Sequence, residues 1–455
     1  MNILHYSLGL APYRSGGLTK YSLDLMKEES KNNNVYLLFP GKMSFVGNKV
    51  KIRGYKVEDK IKIYELVNPL PVPLLNGINK PKVFMKACDK DIFRKFLLKN
   101  AIDTIHIHTF MGLYKELLEV ARELDIKIVY TTHDYFGICP KANFIDYNGE
   151  LCKEKNFEKC LECNKSAYNL TIIKIMQSPI YRFLKNKGLI AKIKFVLGKI
   201  KRSSEKTERI NFNSSNISNV NDITNLRELD NYYREMFGYI DEFLFNSSIA
   251  KNIYNAYGIG RGDVIGITHS NIKDNRVSKK YDSEKLRITY LGPCKKYKGF
   301  NLLLEVMKSI NCKYKPLIEL NVYGDTVCSE EESNIKFHGI YKYSDLSNIF
   351  NKTDLLIVPS IWYETFGFIT LEAYSYGVPV LTTTNVGSKD ILHNDNGIIT
   401  GASKEEIVLE IEKIINNREK LIELNKNINS DIFIYNISEH CSRVINKYKK
   451  STEKW

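Results

Sequence analysis

The chain has 455 residues, which is too many for one ordinary hydrophobic core, so two domains are expected. Hydrophobic residues make up 43% and charged residues 26%, a soluble globular balance, and no apolar run is long enough to span a bilayer. The net charge of +15 suits polyanionic partners such as nucleotides, nucleic acid or anionic lipid, without choosing among them.

The start of the chain, MNILHYSLGLAPYRSGG, has no basic segment before its apolar part. It predicts a buried strand followed by a loop, and not a signal peptide. We therefore expect a cytoplasmic protein whose nine Cys are reduced or bound to a metal.

The first part of the chain alternates strand-like and helix-like patterns. Short apolar runs predict strands at 2–8, 34–40, 103–110, 126–134, 242–248 and 263–269. Amphipathic patterns predict helices at 18–29, 82–99 and 112–124. Alternation of this kind favours a parallel sheet with helices on both faces.

A polar, aperiodic stretch at 270–285 is interpreted as a linker, and the alternation restarts after it. Strands are predicted at 286–293, 316–324, 335–339, 354–360 and 379–384, and helices at 300–310, 344–353, 365–376 and beyond 403. The predicted fold class is α/β, with two Rossmann-like, doubly wound parallel-sheet domains that face a central cleft. The domains are expected at 1–270 and 286–430, followed by a final helix at 431–455. Ligands of such sheets bind outside the carboxyl ends of the strands.

The stretch PSIWYETFGFITLEAYSYGVPV, at 359–380, carries most of the predicted chemistry. A buried strand ends there, and Thr365 is a plausible N-cap for the helix that follows. The amides of Phe366, Gly367 and Phe368 would then form an anion site at the start of that helix. Glu364 would stand at its mouth. Glu372, about two turns on, would need a strong partner if buried, such as a ribose diol. For either Glu alone, a solvated or internally paired side chain is the simpler interpretation.

Taken together, the string PS…ExFG…EA…GxPV resembles the donor-binding signature of GT-B glycosyltransferases of sequence family 4 (glycosyl transferases group 1). The resemblance covers nearly the whole chain and is strongest over 286–400. It implies a GT-B fold and a sugar transfer from a nucleotide-diphosphate donor with retention, in which no Asp or Glu nucleophile is needed. It also implies that catalysis needs no metal.

The segment YLGPCKKYKGFNLLLE resembles the first strand and helix of the family's nucleotide domain, where a basic pair neutralises the diphosphate. Lys298 and Gly299 match the second member of that pair. The position of the first member is Pro293 here, and Lys295 or Lys296 is a candidate substitute. Surface lysines are the alternative for one of these two.

In the N-terminal part, the segment SGGLTKYSLDL resembles the family's Gly-Gly loop, which implies that Gly16 and Gly17 approach the donor phosphate. In the family a His after the strand IKIVY faces the sugar, which makes His133 the candidate catalytic residue together with Glu364. Asp134 is a candidate to orient His133 or to contact the acceptor. His106 and His108 rank below His133, and a core histidine is the alternative for each.

Two further segments resemble parts of the family less closely. The loop at 382–400 corresponds to a family loop that normally reads Gly-Gly-x-x-Glu, and here Asp390 stands near the Glu position. The final helix, with Tyr448 near its end, resembles the helix that returns to the N-terminal domain.

A cysteine-rich insert follows His133. Cys139, Cys152, Cys160 and Cys163 have the spacing C-x12-C-x7-C-x2-C, which suits a structural zinc with four thiolate ligands. Free thiols are the alternative.

A basic, partly apolar stretch runs from Lys174 to Arg209. Such a helix can lie on an anionic membrane surface, or it can pack one face on the domain and hold its lysines in water. Nucleic acid is an unfavoured partner because no recognition motif accompanies the charge.

These observations predict a hexosyltransferase of polysaccharide or cell-envelope biosynthesis. Its partners would be a nucleotide sugar and a glycan or glycolipid acceptor, on the inner face of the cell membrane. The enzymatic alternative is a nucleotide-sugar epimerase of similar architecture. The non-enzymatic alternative is a metal-stapled, membrane-surface protein with a degenerate site, which the Pro293 substitution favours.

Overall fold

A computed structural model describes residues 1–44, 47–190, 220–325, 332–393 and 395–449. The chain forms two compact units. The first comprises Met1–Ala142, Glu154–Phe243 and the C-terminal segment from Lys447, and the second comprises Asn143–Lys153 and Leu244–Asn446. Among the described helices, none combines the length and apolar character needed to cross a bilayer.

The first sheet has eight strands in the order β3-β4-β2-β1-β5-β6-β7-β8. Their bounds are β1 Asn2–Tyr6, β2 Asn34–Pro40, β3 Lys51–Glu58, β4 Ile61–Val67, β5 Thr104–Ile107, β6 Lys127–Thr131, β7 Glu242–Phe245 and β8 Gly262–Val264. Strands β4, β2, β1, β5 and β6 pair in parallel, and β3 joins β4 antiparallel. Strands β2, β3 and β4 lie on one side of β1 and strands β5 to β8 lie on the other, so the strand order reverses between β1 and β5.

Seven helices accompany the first sheet in the described parts of the chain before β7. They are α1 Gly17–Glu29, α2 Asp91–Lys99, α3 Lys115–Glu123, α4 Phe157–Asn164, α5 Leu170–Met176, α6 Pro179–Asn186 and α7 Val220–Gly238. Residues 191–209 of the predicted basic stretch lie outside the described residues.

The second sheet has six strands in the order β11-β10-β9-β12-β13-β14. Their bounds are β9 Leu286–Leu291, β10 Ile318–Tyr323, β11 Ile335–Phe337, β12 Leu355–Val358, β13 Val380–Thr383 and β14 Ile398–Thr400. All recorded pairs are parallel. Here the strand order reverses between β9 and β12.

Seven further helices belong to this half of the chain. They are α8 Ser248–Ala256, α9 Phe300–Tyr314, α10 Leu346–Asn351, α11 Phe368–Tyr374, α12 Lys404–Asn416, α13 Glu419–Ser430 and α14 Ile437–Tyr448. Apolar residues of α9 and α12 pack against β9, β10 and β12 and form the main core of the second unit. Every second residue of β10 is buried, as expected for a strand with one covered face.

The predicted α/β class with two parallel-sheet domains is confirmed, and three local details differ. The hairpin of β3 and β4 and the short strand β14 were not predicted. The helix predicted at 82–99 starts only at Asp91, after a separate 3₁₀ turn at Pro81–Met85.

Thr365 is not the N-cap of α11, because that helix begins at Phe368 and Gly367 caps it with φ 96°. Before Gly367, Glu364 forms an isolated parallel bridge to Val386, and the chain bends at Thr365.

Gly299 is the tightest backbone position of the second unit's site. It links a 3₁₀ turn to α9 with φ 75°, and a Cβ there would lie 1.8 Å from the carbonyl oxygen of Pro359. The residue therefore lets the loop after β9 touch the loop after β12.

We expect Gly299→Ala to lower the free energy of unfolding by about 3 kcal/mol, because a backbone clash adds to the strain of a positive φ. Gly339 is a matched control, since it has φ 77° and open space where a Cβ would stand. Gly339→Ala should cost about 1 kcal/mol from φ strain alone. Urea unfolding of both variants measures the difference, and equal losses would contradict the proposed close approach.

Candidate active site

The second unit pairs a lysine with a glutamate at the point where its strand order reverses. Lys298 follows β9 and Glu364 follows β12, and these two strands are neighbours in the sheet. Lys298 Nζ donates to Glu364 Oε1 at 2.6 Å, and the Ser360 hydroxyl donates to Glu364 Oε2 at 2.9 Å. The Lys298 ammonium also lies 5.0 Å from the centroid of the Trp362 ring. Reversal points of this kind are where open α/β sheets bind their ligands.

The environment of Glu364 keeps its carboxyl ionised. Burial by itself raises the pKa of a carboxyl. The positive charge of Lys298 and the hydrogen bonds that Glu364 accepts outweigh burial, and they hold the pKa of Glu364 below its usual value. The site therefore holds one cation and one anion in direct contact.

The segment after Glu364 is held by the loop after β13. The Ser388 amide donates to the Phe366 carbonyl at 2.7 Å, and the Gly387 amide donates to the Glu364 carbonyl at 2.9 Å. The Phe366 side chain is buried, with its ring 5.6 Å from that of Phe368. At Gly367 a Cβ would lie 3.3 Å from the Ser388 hydroxyl. The three residues whose amides were predicted to bind an anion thus lead into the first turn of α11, where amides have no intrahelical partner.

Glu372 lies on α11 and contacts a histidine that the sequence did not single out. Its Oε1 is 3.4 Å from Nε2 of His269, and both side chains are largely buried. The His269 ring packs edge-on against Phe368 and Tyr343, with centroids 4.9 Å and 5.7 Å away. Within the protein, Glu372 therefore has the imidazole of His269 as a neighbour at a distance longer than a good hydrogen bond.

Three buried polar atoms around α11 have no hydrogen-bond partner among the described residues. They are Nδ1 of His269, Oγ1 of Thr370 and Oγ of Ser388. Buried polar atoms are nearly always hydrogen-bonded, so an unpartnered group needs an explanation. A polar ligand at this position would supply the missing partners.

The other predicted basic residues are less closely tied to the pair. Lys295 is exposed and its Nζ lies 3.7 Å from Asp325, while Lys296 pairs with Glu150 at 2.5 Å. Neither is recorded in contact with Glu364. Asp390, at the family's Glu position, caps α8 by accepting from the amide and hydroxyl of Ser248.

In the first unit, the predicted loop and histidine lie near the same helix. Gly16 caps α1 with φ 123°, a conformation that favours glycine, and Gly17 is the first residue of that helix. Tyr21, one turn into α1, has its ring 4.9 Å from the ring of His133. His133 is partly exposed and stands two residues beyond β6.

His106 and His108 are both fully buried, on or just after β5. His108 contacts His133 directly, with Nδ1 and Nε2 3.2 Å apart. Asp134 accepts a hydrogen bond from the Phe136 amide, and burial raises the pKa of its carboxyl to about 7. The structure thus groups His133 with histidines that ranked below it in the sequence.

The four cysteines of the insert are partly buried, and none forms a disulfide. Cys160 and Cys163 lie one turn apart on α4, which places them on one face of the helix. Cys139 also belongs to the first unit, whereas Cys152 lies in the segment 143–153 of the second. The four-thiolate zinc site stays a prediction.

Sequence reasoning missed His269, Ser360 and Ser388 as parts of the site. His269 was visible only as the last residue of a strand-like run before the linker. Ser360 and Ser388 each follow a strand of the second sheet, and that position is the one signal that could have found them.

We expect Lys298→Met to destabilise the second unit at pH 7 by about 2 kcal/mol, because it leaves the Glu364 carboxylate buried without its cation. The lowered pKa means that the pair stabilises the fold above the ordinary pKa of a Glu. That contribution disappears as the pH falls through the folded-state pKa. The difference between wild type and variant should therefore shrink towards pH 4. Urea unfolding followed by Trp362 fluorescence measures it, and Lys298→Met/Glu364→Gln should recover part of the loss. A difference that does not change with pH would contradict this electrostatic account.

The second unit matches a known protein family. Residues 271–431 match the family model described as glycosyl transferases group 1. The matched segment contains Lys298, Glu364 and Glu372.

Curated relatives match over part of their length. An uncharacterized 41.2 kDa protein in the cps region of Klebsiella pneumoniae is 32% identical over 178 residues, which is 36% of this chain and 46% of that protein. The capsular polysaccharide biosynthesis glycosyltransferase CapM of Staphylococcus aureus is 28% identical over 190 residues, 38% of this chain and 49% of that protein. The chain therefore spans about half the length of these curated relatives in the matched regions.

Solved structures resemble the chain over nearly all of its length. Sucrose-phosphate synthase from Thermosynechococcus elongatus has a TM-score of 0.57 at 14% identity and covers 98% of both chains. Anabaena HepE in complex with UDP has a TM-score of 0.56 at 14% identity, covering 98% of this chain and 99% of that one. At such identities the likeness concerns the fold alone. The chain has the GT-B fold of these structures, and its residues 271–431 match the glycosyl transferases group 1 model.

Proposed function

We propose that the protein is a hexosyltransferase of sequence family 4 that moves a sugar from a nucleotide-diphosphate donor to a hydroxyl of a glycan or glycolipid, with retention of configuration. One observation carries the proposal. The lysine and glutamate of the donor signature, Lys298 and Glu364, form a partly buried ion pair at the strand-order reversal of a glycosyl transferases group 1 domain.

In this proposal Lys298 neutralises the diphosphate as the glycosidic bond breaks. Charge on the leaving group is greatest in the transition state, so a fixed cation contributes most at that point. The ammonium already stands beside a carboxylate, and a diphosphate with greater negative charge competes for it. Glu364 is then available to accept hydrogen bonds from the hydroxyls of the donor sugar.

Glu372 binds the ribose, and the atoms around it support that role. The Glu372 carboxylate is mostly buried. Its Oε1 lies 3.4 Å from Nε2 of His269, and this distance is longer than a good hydrogen bond. The unpartnered atoms of Thr370 and Ser388 lie on α11 and beside its start. A nucleotide with its hydroxyl and phosphate groups would complete these hydrogen bonds.

The residues of the first unit supply the other half of the reaction. His133 contacts the sugar, and the Gly16–Gly17 turn closes over the donor phosphates. No carboxylate nucleophile is needed, because the enzyme stabilises an oxocarbenium-like state between the leaving diphosphate and the incoming hydroxyl. Neither the epimerase nor the degenerate scaffold has a specific observation in its favour beyond Pro293.

We further propose a role in polysaccharide or cell-envelope biosynthesis at the inner face of the cell membrane. The named capsular relative supports the first part. The described part of the basic stretch, with the residues just before it, supports the second, because apolar side chains are exposed among lysines on α5 and α6 and just after α6. The exposed fractions are Ile172 39%, Ile175 48%, Ile180 73%, Phe183 58% and Leu189 36%. Such a surface suits the boundary of an anionic bilayer.

A structural zinc held by Cys139, Cys152, Cys160 and Cys163 remains part of the proposal. The i, i+3 arrangement of Cys160 and Cys163 on α4 supports it. With four thiolate ligands the metal would have no open position for catalysis.

We expect the protein to be stabilised thermally by one nucleotide and its sugars among UDP, GDP, ADP and CMP and their sugars. Ligand at 100 times its Kd adds about 2.7 kcal/mol to the free energy of unfolding. Glu372→Gln should abolish most of this shift. Glu405→Gln, an exposed position on α12, should leave it unchanged. Folded protein that no nucleotide stabilises would contradict the donor site.

We expect the protein to sediment with phosphatidylglycerol-containing vesicles and not with phosphatidylcholine vesicles. Ile180→Asp/Phe183→Asp should weaken binding by about tenfold or more, because two apolar side chains leave the bilayer boundary and two negative charges enter it. Ile432→Asp is the control, because that side chain is 83% exposed elsewhere on the chain. Equal binding to both kinds of vesicle would contradict an electrostatic surface.

A further inference from the structure

A continuous chain of hydrogen bonds runs through the buried centre of the first unit and ends at His133. It starts from Glu29, the last residue of α1, which is 1% exposed. The two oxygens of this carboxylate have different partners. Oε2 contacts Nε2 of His5 at 2.6 Å, and Oε1 accepts from the Tyr448 hydroxyl at 2.7 Å.

The first arm leads from Glu29 to His133. Nδ1 of His5 lies 3.0 Å from Nε2 of His108, and Nδ1 of His108 lies 3.2 Å from Nε2 of His133. The second arm leads from Glu29 to Thr131. Nδ1 of His106 lies 2.7 Å from the Tyr448 hydroxyl, and its Nε2 lies 2.7 Å from the hydroxyl of Thr131. We call these seven side chains the histidine chain.

The histidine chain lies where the strand order of the first sheet reverses. His5 belongs to β1 and His106 to β5, and the two are directly paired in the register of these strands. His108 follows on the same face of the β5 segment, since alternate residues of a strand face the same way. His133 follows β6. The histidine chain therefore connects three adjacent strands, β1, β5 and β6, at their carboxyl ends.

A metal ion is not favoured at this place. His5, His106 and His108 have ring nitrogens close enough to one another to hold an ion. However, all six of their ring nitrogens already contact a carboxylate, a hydroxyl or another imidazole. Hydrogen bonding accounts for the cluster without a metal.

The direction of each hydrogen bond follows from the carboxylate. An ionised carboxylate only accepts, so Nε2 of His5 carries a hydrogen, and a His5 ring with a single hydrogen then accepts at Nδ1. His108 must then donate from Nε2 and accept at Nδ1. Burial and the neighbouring imidazoles hold the pKa of His108 well below its usual value, so its ring stays neutral and has one hydrogen.

The same reasoning assigns the donors and acceptors at both ends of the histidine chain. His133 must donate from Nε2 to His108, which leaves Nδ1 as the accepting nitrogen of its neutral ring. On the other arm Tyr448 donates to Glu29, so its oxygen accepts from Nδ1 of His106, and Nε2 of His106 accepts from Thr131.

We propose that Glu29 is a positioning residue that fixes the tautomer of His133 through His5 and His108, so that His133 presents a hydrogen-bond acceptor at Nδ1. The consequence of this inference rests on the proposed function. If His133 contacts the sugar as proposed, its Nδ1 accepts a hydrogen bond from a sugar hydroxyl. The tautomers themselves do not depend on that function.

The tautomers are measurable in the unmodified protein. The chain has eight histidines, and long-range proton–nitrogen NMR spectra of ¹⁵N-histidine-labelled protein distinguish the two neutral forms. We expect His5, His108 and His133 as Nε2–H tautomers and His106 as the Nδ1–H tautomer, each assigned by single replacement with Gln. His106 as Nε2–H, His133 as Nδ1–H, or a ring nitrogen bound to a metal would overturn the inference.

Glu29→Gln provides a sharper test, because an amide offers one acceptor and one donor where the carboxylate offers two acceptors. One arm must therefore reverse. Either His106 becomes Nε2–H, or His5, His108 and His133 become Nδ1–H. A variant that folds with all four tautomers unchanged would overturn the inference. Tyr448→Phe is the matched control, since it removes the acceptor of His106 and leaves the arm to His133 intact.

The transfer rate is measured separately from the tautomers. If the His133 arm reverses in Glu29→Gln, the transfer rate should fall by about tenfold or more, the effect of one lost hydrogen bond. Thermal stabilisation by the nucleotide should persist, because the nucleotide site lies in the second unit. Tyr448→Phe should keep the wild-type transfer rate. A reversed His133 arm with an unchanged rate would overturn the assigned role.

The two proposals fail in different ways. If the predicted tautomers are found but no nucleotide sugar is bound or consumed, the proposed function fails and the direction of the histidine chain stands. If transfer is measured but the tautomers differ, the inference fails and the proposed function stands.

Discussion

A carboxylate removed from water has to be surrounded by donors, and this constraint organises the centre of each unit. In the second unit Glu364 is held by the Lys298 ammonium and the Ser360 hydroxyl. In the first unit Glu29 is held by the Tyr448 hydroxyl and the His5 ring. Apart from Ser360, these donors come from segments distant in sequence, so satisfying the two carboxylates helps to fix how the surrounding strands and helices meet.

Both carboxylates stand where the strand order of a sheet reverses, and there the loops on either side diverge and leave room for side chains. In the second unit this room is narrow, because Gly299 brings the loop after β9 against the carbonyl of Pro359. In the first unit the histidines of β1 and β5 fill it. The same sheet architecture therefore produces one site shaped around a lysine–glutamate ion pair and another shaped around imidazoles.

The sequence predicts the parallel sheets and the residues of the donor signature, because both depend on local patterns. Lys298, Glu364 and Glu372 stand in short segments whose spacing is informative by itself. Glu29, His5 and His269 do not, since each matters only through a partner that is distant in the chain. Thr365 was predicted as an N-cap from residue type, but α11 begins only at Phe368, after Glu364 has paired with Val386. The residue type of Thr365 therefore did not decide where the helix begins.

The two carboxylates differ in what holds them, and this difference suits different tasks. Glu364 is compensated mainly by one cation on a flexible stem, and a more highly charged ligand competes for that cation. Glu29 is compensated by the Tyr448 hydroxyl and the His5 ring, whose neighbours continue the hydrogen bonds to Thr131 and His133. A single ammonium can exchange one acceptor for another without disturbing its neighbours, whereas a change in the donor and acceptor pattern at Glu29 has to be passed along the bonds that continue from it.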